Sequence, residues 1–501
     1  MTVVVLFLLA VPLAAAVVTF WLPPSAAGAV TSGAGIGTFG LVLALIPAVS
    51  HRDISVLGFI RIDALSAVFL LATGFLYACV AVYSIGYLRS AAETAAQDRV
   101  YARRFWAGLN LFAWTMLTAP AMSNLALLWI AIEVTTVVSA LLVAMEGTDG
   151  AAEAAWKYVL LASAGLAVAL LGTIFLYYAG AHVLGQSYDL SFWPLLGVAA
   201  RLPHTAVRLA FVLAVLGFGT KVGLFPVHTW LPDAHSEAPT PVSALLSGSL
   251  LATSFYAILR FYQIAAAALG PSFPRDVLLA FGVASLLLAA LYLLDQQDYK
   301  RLLAYSSVEH MGILAIGVSF GAPVALAGVP LHVLAHAAAK GNAFTGAGVL
   351  VRKFGTKRIG SVTGGLDLLP WSGPLFLAAV LALSAMPPFG IFRSEFEIVT
   401  GGLAASHNAA AVILVVLVTI AFLGMSVAAN RMLLVPAQGG AAGDSGGSSR
   451  GAGTAERGEP SVWMVVPVVA GLIALLVLGL HPPAELTGLL DRAVTALRGA
   501  A

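Results

Sequence analysis

The amino-acid sequence predicts an all-α integral membrane protein of about fourteen transmembrane helices. Three observations carry that expectation. Of 501 residues, 60% are hydrophobic and only 10% are charged, and the mean hydropathy is +0.96. Apolar runs of roughly 18–25 residues, each long enough to cross a hydrocarbon core, recur along the whole length. Charged residues, Glu133, Lys221 and Lys340 above all, stand inside these runs. A charge at the bilayer centre costs at least about 2.5–3.5 kcal/mol, so it is kept for a function and needs partners.

Taken in order, the spans lie near 3–22, 27–50, 63–88, 105–122, 123–146, 154–180, 205–225, 240–267, 275–295, 302–320, 322–351, 371–392, 405–433 and 461–480. The first is apolar from its second residue and has no basic leader, so it reads as a retained span. Between spans two and three, ISVLGFIRID alternates apolar and polar residues as a short outer hairpin does. The Gly/Ser-rich stretch at 436–460 reads as a flexible linker that cannot pack a core. With an even number of spans both termini share a side. The outer segments then hold only Arg52, Arg61, Arg201, Arg208, Arg260, Arg275, Arg492 and Arg498, while most other basic residues fall on the inner side. The positive-inside rule therefore places both termini outside.

Two segments mirror one another. Spans four to eight carry an acid, Glu133, and then Lys221 followed by a break at Pro226; spans nine to thirteen carry Lys340 and then a break at Pro387 and Pro388 followed by Glu395. Proline-interrupted helices at matching places point to two inverted five-helix repeats around a midplane ion site, with helices seven and twelve broken. The expected organisation is a three-helix segment at 1–104, a first repeat at 105–268, a second at 269–435, the linker, and a C-terminal helix and tail at 461–501.

Composition also excludes. The net charge of +2 gives no footprint for nucleic acid, and the single Cys79 rules out a disulfide framework, CxxC zinc sites and Cys-ligated iron–sulfur clusters. Gly35, Gly37 and Gly40 match GxGxxG inside a span, where helix packing explains them, and no phosphate-binding loop is present.

The candidate chemistry is proton transfer. Glu133 and Lys221 are expected to pair, since each would otherwise be a stranded charge. His332, His336 and Lys340 recur at steps of four on one helix face, a relay beside internal water. A metal is disfavoured there, because neither HExxH nor a third ligand lies nearby in sequence. Arg393 and Glu397 are placed to pair with each other, which leaves Glu395 as the terminal carboxylate. Glu309 and His310 are candidates for lining a route from the cytoplasm. Asp298, Lys300 and Arg301 read as a solvated anchor, and His228, Asp233, His235 and Glu237 as an interfacial loop that could admit protons.

KVGLFPVHTWLPDAHSEAPTPVSALLSG, DYKRLLAYSSVEHMG, HAAAKGNAF and MPPFGIFRSEF, in this order, resemble the antiporter-like subunits of respiratory complex I, Mrp-type antiporters and group 4 membrane-bound hydrogenases. The similar core runs from about Trp106 to Glu397, and its Ser-Val-Glu-His and Arg-Ser-Glu-Phe forms are most similar to the hydrogenase-4 or formate-hydrogenlyase type. The resemblance implies fourteen helices with inverted repeats, broken helices seven and twelve, and proton translocation along a central polar axis. It assigns that role to Glu133, Lys221, His336, Lys340 and Glu395; His228, His310, His332, Glu309 and Thr253 are expected in support from their own places in the chain. With no cofactor motif and no metal site read in this chain, redox chemistry is expected in a peripheral arm reached through other membrane subunits. Lipid and protons, with Na⁺ open, are the remaining partners, and a bacterial plasma membrane is the expected location. A Mrp-type Na⁺/H⁺ antiporter subunit and a coupling subunit for inorganic-carbon uptake, both without redox chemistry, stay open as alternatives. One departure stands out: where relatives carry a lysine in the eighth helix, this chain has Ala252. The tail after Pro482 is also too short for a long lateral helix.

Overall fold

The computed structural model describes residues 1–90, 97–436 and 457–499. α1 (Thr2–Trp21) and α2 (Pro24–Val49) each continue through an interior proline, Pro12 and Pro47. The hairpin follows as expected: β1 (Ile54–Val56) pairs antiparallel with β2 (Ile60–Ile62), and Ile54, Val56, Ile60 and Ile62 all point inward. α3 (Ala64–Arg89) starts on Asp63, whose carboxylate accepts from Ser66 N at 2.8 Å. α4 (Gln97–Ala121), α5 (Leu125–Val143) and α6 (Asp149–Leu184) come next. The seventh span is split into α7 (His204–Val222) and α8 (Trp230–Glu237). α9 (Thr240–Leu269) holds a π turn at Leu246–Leu250, a defect that often marks a functional place in a helix.

In the second half, α10 (Ser272–Leu293), α11 (Tyr299–Phe320) and α12 (Pro323–Phe354) precede the split twelfth span, α13 (Ser372–Leu383) and α14 (Gly390–Ala404). α15 (Asn408–Leu433), α16 (Val462–Leu480) and α17 (Ala484–Arg498) complete the chain. Both breaks fall at prolines, and Phe225–Pro226 and Pro387–Pro388 are cis.

Among the described residues, 12 helices are long and apolar enough to cross a membrane. The expectation of fourteen differs at two places. α4 opens with Arg99, Arg103 and Arg104 and falls outside that set, and the twelfth span consists of pieces of 12 and 15 residues. The boundary at 392 is also corrected: Arg393, Glu395 and Glu397 stand on the second half of a broken helix, because the chain resumes helical geometry at Gly390 directly after the break. Most of the expected linker at 436–460 lies outside the described residues. Its last residues act as a cap: Glu459 accepts from the N–H groups of Trp371 and Ser372, both at 2.9 Å, at the start of α13.

The helices form a polar-cored bundle in an apolar coat. α9 and α11 are buried along their whole spanning length and α12 nearly so. α1, α2, α15 and α16 turn Phe7, Val17, Ile36, Val412 and Val466 outward, as lipid contact requires. Small residues let the backbones approach. Gly282 and Gly312 meet on α10 and α11, where a Cβ on either would stand under 3.0 Å from the other's carbonyl oxygen. Gly35 packs on Ala78 and Ala81 of α3, whereas Gly37 and Gly40 face open space, so the GxGxxG match has a packing explanation in one residue.

One buried ion pair ties the ends of the fold together. Arg260 of α9 donates to Asp63 at 2.7 Å, to Tyr256 OH at 2.9 Å and to Gln263 Oε1 at 2.9 Å. Gln263 in turn donates to Ala496 O on α17, and Arg492 of α17 reaches Asp53 before the hairpin at 2.7 Å. The tail is thus a short amphipathic helix docked on the bundle. Removing one partner of a buried pair leaves an uncompensated charge, so Asp63→Ala is expected to lower stability by about 3–5 kcal/mol. A thermal unfolding series of the detergent-solubilised chain, with Glu485→Ala as a surface control, checks this.

Candidate functional site

The first centre is built on Lys221, wholly buried on the last turn of α7. α7 stops because Gly223 takes φ 85° and closes a left-handed cap onto Gly219 O. The break frees a carbonyl, and the chain returns to satisfy it: Trp230 Nε1 of α8 donates to Thr220 O at 2.7 Å. Lys221 Nζ donates to Thr136 Oγ1 at 2.7 Å and to Tyr158 OH, which is itself paired with Ser139 Oγ at 2.7 Å. The expected closed pair between Lys221 and Glu133 is not formed. Glu133 accepts from Ser163 Oγ at 2.8 Å and keeps Oε2 buried without a partner. Thr136 lies one turn beyond Glu133 on the same face of α5, and there the Thr136 and Tyr158 hydroxyls solvate the amine.

The second centre repeats this arrangement. Lys340, wholly buried in α12, donates to Leu303 O at 2.9 Å and to Ser306 Oγ at 2.5 Å on α11. One turn past Ser306 stands Glu309, buried, with Oε2 unpartnered. Each half therefore holds a buried lysine that donates to a hydroxyl one turn from a buried or part-buried acid on a neighbouring helix. Glu309 thus stands one turn from the hydroxyl that holds Lys340.

The third centre gathers residues from three helices. His310 Nδ1 of α11 lies 3.1 Å from His332 Nε2 of α12 and 3.8 Å from Glu395 Oε1 of α14. Ser394 Oγ holds His332 Nδ1 at 2.9 Å. The ring of His336 lies 5.3 Å from that of His310, and both its nitrogens are unpartnered. Arg393 and Glu397 pair at 3.1 Å as expected, which leaves Glu395 to the histidines.

Between the first two centres runs α8, and here the expectation of an interfacial loop is corrected. α8 is a helix tucked under the break. Its acids do face outward, Asp233 toward Arg301 at 3.1 Å and Glu237 toward Lys357 at 2.7 Å. His235 points inward and is wholly buried, with Nδ1 on Leu231 O at 2.8 Å and Nε2 unpartnered. Its ring lies 6.0 Å from Trp230, which packs on Tyr158 at 4.4 Å, and 6.0 Å from Phe344, one turn past Lys340. His228, at the break, is buried with Nδ1 free of partners. Across the gap at Ala252, Thr253 offers an unpartnered buried hydroxyl, and Ser247 Oγ of the π turn meets Ser307 Oγ at 2.7 Å. Lys300 is no solvated anchor: it is buried and donates to Ala238 O, the end of α8, at 2.7 Å.

Residues 122–421 match the family described as NADH:quinone oxidoreductase/Mrp antiporter, transmembrane. The chain belongs to this family. Hydrogenase-4 component F homolog of Methylacidiphilum infernorum is 36% identical over 362 residues, which are 72% of this chain and 76% of that protein. The expected likeness to hydrogenase-4 type subunits is thereby met. At the level of fold, a chain of the archaeal membrane-bound sulfane sulfur reductase superposes with a TM-score of 0.84 at 20% identity, over 99% of this chain and 98% of that one. A chain of the Mrp complex from Dietzia sp. DQ12-45-1b does so with a TM-score of 0.80 at 21% identity, over the full length of both. This antiporter-like subunit is a multi-pass integral membrane protein.

The hydroxyls that hold the two lysines, Thr136, Tyr158 and Ser306, were not singled out by sequence reasoning, and neither was Ser394. A signal existed for two of them: Thr136 is three residues from Glu133, and Ser306 three from Glu309, so each shares a helix face with a buried or part-buried acid.

Proposed function

We propose that this chain is a proton-translocating, antiporter-like subunit of a membrane redox complex of the NADH:quinone oxidoreductase or hydrogenase kind. Its repeats at 105–268 and 269–435 each supply one lysine centre, the redox centres reside in partner subunits, and both termini lie on the outer side. The observation that carries this reading is the repeated unit of lysine, hydroxyl and acid, Lys221–Thr136–Glu133 and Lys340–Ser306–Glu309. A lysine solvated by two oxygens can hold or release its proton, and a short swing toward the acid favours the charged form. Opening and closing such a pair supplies energy of the order needed, since one proton crossing 100 mV is worth about 2.3 kcal/mol.

The proton passes from the Glu133–Lys221 centre to Lys340 and on through His336, His332 and His310 to Glu395. His235 bridges the halves in place of the eighth-helix lysine that Ala252 lacks, with Thr253 and the Ser247–Ser307 pair lining the way. His235→Gln is expected to cut translocation by about tenfold or more. An unchanged rate would assign the bridge to water and hydroxyls alone.

The general test is proton uptake by proteoliposomes of the intact complex. Glu133→Gln, which keeps the shape and the Ser163 contact but fixes the charge state, is expected to slow uptake severalfold or more. A wild-type rate would make Glu133 structural. Full-length superposition on a chain of a Mrp complex supports a second reading, an Na⁺/H⁺ antiporter subunit. Sodium-driven proton release, and the identity of the subunits that co-purify, separate the two.

A further inference from the structure

We propose that His310, His332 and Glu395 form a binding site for a divalent transition metal with zinc's ligand preferences, whose occupancy closes the second half of the proton path. The binding clause rests on geometry alone. The closure clause rests on the function proposed above.

Each residue offers one ligand atom, and these atoms all lie within 4.8 Å of one another. Two of the separations are 3.1 Å, from His310 Nδ1 to His332 Nε2, and 3.8 Å, from His310 Nδ1 to Glu395 Oε1. A zinc ion held by nitrogen and oxygen at about 2.0–2.1 Å needs tetrahedral edges of about 3.4 Å, so small side-chain shifts suffice. The ligands come from α11, α12 and α14, three separately anchored helices, so the group does not depend on a loop. His332 is already oriented from behind: Ser394 Oγ holds its Nδ1 at 2.9 Å and leaves Nε2 facing the other two ligands. His336, with both nitrogens buried and unpartnered, stands beside them to serve as a fourth ligand, as a water also would.

One carboxylate and two neutral imidazoles leave a divalent ion with a net +1; of the charged side chains within electrostatic reach, Glu309 offsets that charge and Lys340 adds to it. The site is enclosed: His310 and His332 are 1% and 0% exposed and Glu395 6%. The ligand set is not the i,i+4 histidine pair visible in the sequence. His310 takes the place of His336 because α11 crosses α12 at the level of His332. Bound metal would occupy the imidazole nitrogens and the carboxylate oxygen that a proton must use to reach Glu395.

The test uses the intact complex, stripped with chelator and dialysed against Zn²⁺, with metal measured directly. Wild type is expected to bind one Zn²⁺ more per copy of this chain than the His310→Gln/His332→Gln double variant. Glu395→Gln and His332→Gln are each expected to weaken that zinc by more than about tenfold, and Ser394→Ala by about tenfold. His51→Gln, at an exposed histidine, is expected to change nothing. Co²⁺ in wild type alone gives a readout that needs no variant: the intense visible bands of a tetrahedral site. Equal zinc in wild type and the double variant, or cobalt spectra of hexa-aqua type only, overturns the site. If zinc binds at these residues and wild-type proteoliposomes still translocate protons at the metal-free rate, the site stands and the closure clause falls.

Discussion

Lys221→Ala is expected to lower proton translocation by the assembled complex roughly a hundredfold or more, the range lost when a positioned acid–base group is removed. The chain should still fold. Tyr158 and Ser139 remain paired at 2.7 Å, and Glu133 keeps its bond from Ser163. Had the lysine and the glutamate formed a closed pair, the same substitution would strand a carboxylate and cost about 3–5 kcal/mol of stability. The open arrangement therefore separates function from stability, and the quench of a pH-sensitive dye in proteoliposomes, normalised to complex content, reads the first without the second. Loss of assembly in place of loss of translocation would show that the lysine holds the fold.

Lys340→Ala is expected to have an effect of the same size, because on the proposed path protons reach the histidines only after the second lysine. Its partners are Leu303 O and Ser306 Oγ, both on α11, and neither is a charge that its removal would strand. Asp298→Ala is the informative contrast. Asp298 caps α11 through the N–H groups of Lys300 and Arg301 at 2.7 and 3.0 Å. It should lose about 1 kcal/mol of stability and leave translocation near wild type. Equal losses of translocation from the two substitutions would remove Lys340 from the path.

The charged members of the site were legible in the sequence for one reason: an ionisable residue in an apolar run is expensive. Glu133, Lys221, Lys340 and the histidines around it announced themselves that way. What they touch was not legible. Whether Lys221 meets Glu133 or Thr136 is a choice between two places one turn apart on α5, and only packing decides it. His310 and Glu395 are separated by helices whose order in space no local pattern records. His235 was hidden by its own neighbours. HSEAPTP reads as loop, since a short helix that is buried because it tucks under a break looks polar in a hydropathy window. Lys300 misled for the same reason, its charge read from composition while its amine reaches inward to the end of α8. The hairpin and most of the spans, whose burial follows directly from their periodicity and length, were read correctly.

The proposed translocation turns on Lys221 giving and taking a proton, and Lys221→Arg tests that most directly. Arginine keeps a positive charge and a long stem but does not release its proton at any working pH. Protons translocated per substrate turnover, measured on intact complex in sealed proteoliposomes with assembly verified, should fall to background. A wild-type ratio would mean that a fixed charge at this position is enough, and that the lysine is no relay.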